Sequence, residues 1–259
     1  MDSTAWRIVG ASVQGTSHQR ADLPCQDAYS IQVVEDETLL IAVADGAGSA
    51  PCAEEGAQHA VEQAMAAMRS VLKVPTPDTE EAWITGLTGV FEQARQALQE
   101  LAHRQDRPLS QFATTLLCTM VTEQWLIAGQ IGDGVIVAHT GDDALFTVVE
   151  PQRGEYANET RFLTSPAALD YLDGHAYPLG TQAVAVMTDG LCHLALDRNG
   201  DTPHAPFFHP LFQFCTQVES RSVGQEQLAA FLASRRVCER TDDDKTLVLA
   251  CRKLNIAER

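Results

Sequence analysis

Three apolar runs in this chain end in the same way. IAVADG reaches Asp45, AGQIGDG reaches Asp133 and AVMTDG reaches Asp189, while a fourth acidic cluster, Asp242, Asp243 and Asp244, stands directly before a last apolar run, KTLVLACRK. An apolar run of this length bounded by a glycine turn reads as a buried strand that delivers a carboxylate where it leaves the core. Taken alone, the turn after Ala44 is equally an ordinary strand-to-helix connection. Three such endings plus an acidic triplet carry more: if the strand ends meet, the carboxylates repel one another and must be protonated or neutralised by cations. Hard oxygen donors of this kind suit Mg²⁺ or Mn²⁺ rather than zinc. Gly46 and Gly48 leave room for main-chain atoms to come close to anything Asp45 holds.

Around these endings the chain switches between two periodicities. Residues 6–13, 28–34 and the stretch TLLIAVAD read as strands, the first two separated by a long polar loop, GTSHQRADLPCQD. Ser49 and Pro51 mark a helix start, and apolar residues at 57, 60, 61, 64, 65, 68 and 71 form one helical face. VPTPDT breaks that helix, and Asp78 or Thr79 with Glu80 and Glu81 opens a second one to about residue 104. FATTLLCTMV, QWLIAGQ, GVIVAHT and ALFTVVE then read as four strands of an antiparallel meander, the last two joined at Gly141, Asp142 and Asp143. Residues 151–181 are expected to be irregular, 192–222 a loop with a short helix near 208–218, and 224–235 a helix before the final strand. No linker divides the chain, so one domain spanning 1–259 is expected. Strands, then helices, then strands favour an α+β sandwich of sheets covered by helix pairs over an alternating parallel fold.

With 18 Lys and Arg against 35 Asp and Glu the net charge is −17, which argues against nucleic acid or an anionic membrane as partner. The same excess suits metal cations, and it suits a well-solvated surface equally. MDSTAWRIVG carries an acidic residue and no apolar core, so no secretory signal is expected there. No run approaches the roughly 18 apolar residues of a membrane span. Seven cysteines, odd in number, scattered and without a CxxC pair, point to a reducing cytoplasm rather than to disulfides or a zinc site.

In order, CQDA at 25–28, DGAGS at 45–49, FATT at 112–115, IGDG at 131–134, TDGL at 188–191 and DDKTLVL at 243–249 resemble the motif series of the PP2C family, the metal-dependent protein serine/threonine phosphatases. The resemblance spans nearly the whole chain and is closest to the compact bacterial branch, with YANETRFLT at 156–164 in keeping. It implies a four-layer αββα sandwich, two mainly antiparallel sheets flanked by helix pairs, with a centre of two Mn²⁺ or Mg²⁺ ions at one end. Carried over residue by residue, Asp45 matches the carboxylate that bridges both metals, and the Gly46 carbonyl a ligand of one of them. Asp189 and Asp243 match ligands of the other metal, and Asp27 the acidic residue that holds metal-bound waters. Asp133 matches a candidate ligand, with Asp189, of a third metal. Such a metal pair lowers the pKa of a shared water and clamps an in-line displacement at phosphorus, so no nucleophilic side chain is required. The chain accordingly has no GxSxG elbow, and none of these motifs places a Cys in a basic setting. The implied partner is a phosphorylated protein, the target of a serine/threonine kinase in the same cell.

One departure bears on substrate binding. Many members place an Arg five residues before the aspartate matching Asp27, where it grips the phosphate bidentately; here that position is Asp22. Arg20 and His18 are the candidates to replace it, or else they are solvated loop residues. Asp244 and Lys245 are smaller departures with no evident consequence. His193 is the histidine nearest to the expected site in sequence, and Asn158 and Thr160 either cap a loop or line the substrate entrance. The missing Arg also leaves a second reading, a catalytically weak or inactive PP2C-like protein-binding module. A phosphodiesterase-type centre fits less well, since such sites usually mix His with carboxylates.

Overall fold

The computed structural model describes residues 4–73, 77–140, 144–152, 160–197 and 202–253. Strand β1 (Trp6–Val13) and a short helix α1 (Thr16–Ala21) lead into β2 (Ala28–Val34) and β3 (Thr38–Ala44). The helix pair α2 (Ala53–Val71) and α3 (Glu80–Arg104) follows, then β4 (Leu116–Val121), β5 (Leu126–Ile131), β6 (Val135–Thr140) and β7 (Leu145–Val149). After β8 (Asp173–Tyr177) and β9 (Thr181–Met187) come α4 (Cys192–Ala195), α5 (Ala205–Gln217), α6 (Arg221–Leu232), α7 (Arg235–Cys238) and the closing strand β10 (Lys245–Arg252).

The strands form two five-stranded sheets, ordered β1-β10-β9-β6-β7 and β2-β3-β4-β5-β8, with every pairing antiparallel. Alternation along each strand decides what it faces. In β3, Leu39, Ile41 and Val43 meet Leu117, Val186 and Val248 between the sheets. Leu40, Ala42 and Ala44 face α2 and α3 instead. Because both faces are covered, β3 reads in sequence as a continuous apolar run rather than an alternating one. On the far side Val135, Val137, Ala185, Met187, Leu247 and Leu249 meet Phe208, Phe212 and Leu228 of α5 and α6. The result is the expected four-layer αββα sandwich.

Local chemistry sets the helix ends. The alanine-rich stripe of α2, Ala57, Ala60, Val61 and Ala64, packs with Trp83, Leu87, Phe91 and Leu98 of α3. Thr79 caps α3, its side chain accepting the Ala82 N–H at 3.3 Å. Helix α2 starts at Ala53 instead of Pro51, and Ser49 is not its cap. Two successive turns, Ala50 N–H to Ala47 O and Ala53 N–H to Ala50 O, occupy that stretch first.

Three expectations are corrected. The polar loop before Asp27 contains α1, which buries none of its residues and therefore leaves no apolar period to detect. The four-strand meander is split: β4–β5 lies in one sheet and β6–β7 in the other, since hairpin periodicity does not specify which sheet a strand joins. The crossing falls at Gly132–Gly134, where Gly132 has φ +140°, a value that side-chain-bearing residues rarely adopt. Within the stretch expected to be irregular, DGHAY forms the edge strand β8 without any β-branched residue to announce it. The turn at Gly141, Asp142 and Asp143, and Asn158, lie outside the described residues. Among the described residues no helix is long and apolar enough to cross a membrane.

Candidate active site

All three Asp-Gly turns and the Asp242–Asp244 cluster come to one end of the sandwich. Asp45 follows the last residue of β3, and its turn is pinned by the FATT motif. The Asp45 N–H donates to Thr115 Oγ1 at 2.9 Å, while the Asp45 carbonyl accepts Thr115 N–H at 2.8 Å and Thr114 Oγ1–H at 2.9 Å. Gly46 pairs with Thr114 as an antiparallel bridge whose two bonds, Ala47 N–H to Ala113 O and Thr115 N–H to Asp45 O, leave the Gly46 carbonyl out. A Cβ at Gly46 would lie 2.7 Å from both the Ala53 and Gln26 carbonyl oxygens, so only glycine fits between the CQDA loop and α2. Gly190 after Asp189 is tighter still, 2.0 Å from the Asp244 carbonyl oxygen.

The carboxylates interact strongly. Asp27 is buried, and its Oδ2 accepts Thr246 Oγ1–H at 2.7 Å and Thr188 Oγ1–H at 2.9 Å. Its Oδ1 is buried with no partner. Burial pushes the Asp27 carboxyl up to about 7; the Thr246 and Thr188 hydroxyls pull it down, and the Asp244 and Asp189 charges push it further up. Asp45 is held well above the usual carboxylate range by burial first, then by Asp27 and Asp189. Asp189 rises to about 6 through burial and the charges of Asp133 and Asp243. The Asp45 and Asp189 carboxyl groups lie within hydrogen-bonding reach of each other. Asp133 is raised by burial, opposed by Thr160, whose hydroxyl donates to Asp133 Oδ2 at 2.7 Å.

These side chains fit a hard divalent cation. Two carboxyls at hydrogen-bonding distance must share either a proton or a cation, and Asp189 Oδ1 is a buried oxygen with no donor. Every candidate ligand is an oxygen, as Mg²⁺ and Mn²⁺ prefer. Among the described residues no three Asp, Glu, His or Cys side chains converge into a ready-made cage. Mg²⁺ does not require one, since it keeps several waters and uses one or two protein carboxylates. Cysteine chemistry has no support here: burial and the Asp27 and Asp244 charges push the Cys25 thiol up, away from the reactive thiolate.

The two phosphate-binding candidates differ. His18 is only 12% exposed, with Nδ1 2.9 Å from Asp244 Oδ2. Its other nitrogen, Nε2, faces the DGAGS turn, 3.5 Å from where a Cβ of Gly48 would stand. Arg20 is 71% exposed and pairs with Asp242 at 3.1 Å, one residue before Asp243. Asp22, in the position where the resemblance implies an Arg, is the left-handed C-cap of α1 at φ 55°.

The sequence model described as Protein phosphatase 2C matches residues 14–233 of this chain. The chain belongs to the protein phosphatase 2C family. A relative named serine/threonine-protein phosphatase 3, from Escherichia coli (strain K12), is 39% identical over 253 residues, 95% of this chain and 98% of that protein. The crystal structure of the serine/threonine phosphatase Stp1 from Staphylococcus aureus superposes with a TM-score of 0.63 at 13% identity, covering 96% of this chain and 95% of that one. RsbX, crystallised in complex with magnesium, superposes with a TM-score of 0.55 at 15% identity, covering 96% of each chain.

Within this phosphatase 2C fold, Asp244 is the residue that sequence reasoning passed over. It is buried, and besides His18 it accepts the backbone N–H groups of Gly15 and Gln26, each at 2.6 Å. Lys245 is fully buried and donates from Nζ to the Asp243 carbonyl at 3.0 Å, which fixes the loop carrying Asp243. Thr188 and Thr246, which hold Asp27, are the threonines of the TDGL and DDKTLVL motifs. Their place inside those motifs is the signal the sequence offered; which carboxylate they hold is not written in it. Thr160 proves to be a partner of Asp133 rather than a loop cap, and His193 lies on α4, three residues past Gly190.

Proposed function

We propose that this chain is a divalent-cation-dependent protein phosphatase that removes phosphate from phosphoserine and phosphothreonine, opposing a kinase in the same cytoplasm. Residues 1–259 act as one domain in this reading. The observation that carries it is the Asp45–Asp189 carboxyl pair, set within hydrogen-bonding reach inside a cluster that holds Asp27, Asp133 and Asp243 as well. Asp45 would bridge two ions, with the Gly46 carbonyl on one and Asp189 and Asp243 on the other; Asp133 would join Asp189 at a third. Mn²⁺ or Mg²⁺ bound there supplies an activated water and neutralises charge on the phosphate.

The chain's own groups do the rest. Asp27 is fixed through Oδ2 by two threonine hydroxyls, so Oδ1 stays available to accept from a water and orient it. Asp244 fixes the His18 ring through Nδ1 and leaves Nε2 turned toward the Gly48 end of the site, where the imidazolium, with a proton on each nitrogen, can donate to a phosphate oxygen in place of the missing Arg. Arg20 steadies the Asp243 loop through Asp242. The experiment is phosphate release from a phosphothreonine peptide: it should depend on Mn²⁺ and vanish in Asp45→Ala, whereas full activity in excess chelator would contradict the proposal.

Asp22 in the position where the resemblance implies an Arg favours a second reading, a protein-binding module without turnover. Mn²⁺ binding with no release from any phosphopeptide would support it.

A further inference from the structure

A cavity of about 1070 Å³ opens among α4, α5, α6 and α7. Helix α5 carries four phenylalanines, and they divide between two tasks. Phe208 and Phe212 are buried against the sheet, whereas Phe207 and Phe214 are only half-buried and line the cavity together with Phe231 of α6. Arg236 of α7 and Arg240, just past its end, line the same cavity and are exposed. Among the described residues neither has an ion-pair partner, although their neighbours Arg235 and Glu239 pair at 2.6 Å. Asp197, the carboxylate in the lining, accepts the Thr202 N–H at 3.4 Å. Two uncompensated guanidinium groups beside aromatic faces, in a chain of net charge −17, complement an anionic, apolar partner and little else on this surface.

The cavity adjoins the candidate site along the chain. Asp189 leads through a single turn into α4, whose His193 lines the cavity. Arg240 precedes Asp243 by three residues, a reach of at most about 11 Å even when extended.

We propose that this groove docks an acidic, apolar-rich flank of the phosphoprotein substrate, carboxylates on Arg236 and Arg240 and apolar side chains against Phe207, Phe214 and Phe231. This rests on the phosphatase reading above. Docking there gives a strongly acidic enzyme a local cationic handle on an acidic substrate, away from its own carboxylate cluster.

The test uses the full chain with Mn²⁺ and compares p-nitrophenyl phosphate, a phosphothreonine peptide whose flank alternates Glu with Leu and Phe, and the same peptide with Gln and Ser in the flank. The acidic, apolar peptide is expected to show a KM about tenfold below its neutral counterpart. The double variant Arg236→Glu with Arg240→Glu, and separately Phe214→Ser, should erase that difference and leave p-nitrophenyl phosphate turnover unchanged. Equal KM values in the wild type, or a preference that survives charge reversal, would overturn the docking groove. Self-association lost in the double variant would assign the groove to a second copy and overturn it too. Failure to turn over p-nitrophenyl phosphate would overturn the phosphatase reading instead. The groove is then decided by fluorescence anisotropy of the labelled, unphosphorylated flank: saturable binding lost in the double variant supports it, and no binding overturns it.

Discussion

His18 Nδ1 lies 2.9 Å from Asp244 Oδ2. Because the same carboxylate accepts the Gly15 and Gln26 N–H groups, one side chain joins α1, the CQDA loop and the entrance to β10. It holds together parts of the site that are more than two hundred residues apart.

Asp244→Ala should therefore destabilise the metal-free protein by about 3 kcal/mol, because it strands two buried N–H donors and frees His18. Asp244→Asn keeps one acceptor oxygen and should cost about half as much. Urea denaturation in chelator measures both, and equal stability of wild type and Asp244→Ala would remove Asp244 from this role.

His18→Gln should raise KM for a phosphothreonine peptide by about tenfold, the scale of one lost hydrogen bond to a charged group. Arg20→Gln, which loses an exposed ion pair, should change KM less than about twofold. Steady-state kinetics on the two variants separates them, and the reverse ranking would return the phosphate to Arg20.

The metal-free protein should lose stability as pH rises. Asp27 and Asp189 titrate at about 7 and about 6 in the fold, against an ordinary 3.8. Their contribution is fully present below 3.8 and is lost as pH climbs through those two values. Melting temperature in chelator should fall between about pH 4 and about pH 7, and Asp27→Asn, which keeps one acceptor for the two threonines, should flatten the fall. Saturating Mn²⁺ should reverse the trend, since a cation favours the charged carboxylates.

Gly46→Ala should cost about 1–3 kcal/mol, since its Cβ would stand 2.7 Å from two backbone oxygens that cannot yield cheaply. It should also weaken Mn²⁺ binding by moving the Gly46 carbonyl. Thermal denaturation read beside a metal titration checks both effects.

The sandwich was legible because its strands are long apolar runs and its helix pair carries a clear stripe. Asp45, Asp133 and Asp189 were legible because each ends such a run on a glycine turn. Helix α1 was hidden by its lack of any buried residue, and β8 by its composition. The split of the meander was hidden because β5 and β6 look like neighbours until Gly132 turns the chain into the other sheet. Asp244 was passed over because its importance lies in donors, Gly15 and Gln26, that are distant in sequence and whose backbone N–H groups carry no residue signature.

If the carboxylates of Asp45, Asp189 and Asp243 gather at one end of the sandwich to hold cations, calorimetric titration of Mn²⁺ into the metal-free chain is the decisive measurement. Saturable binding that is lost in Asp45→Asn and weakened at least about tenfold in Asp189→Asn is expected. No heat of binding in the wild type, or equal affinity in all three proteins, would contradict it.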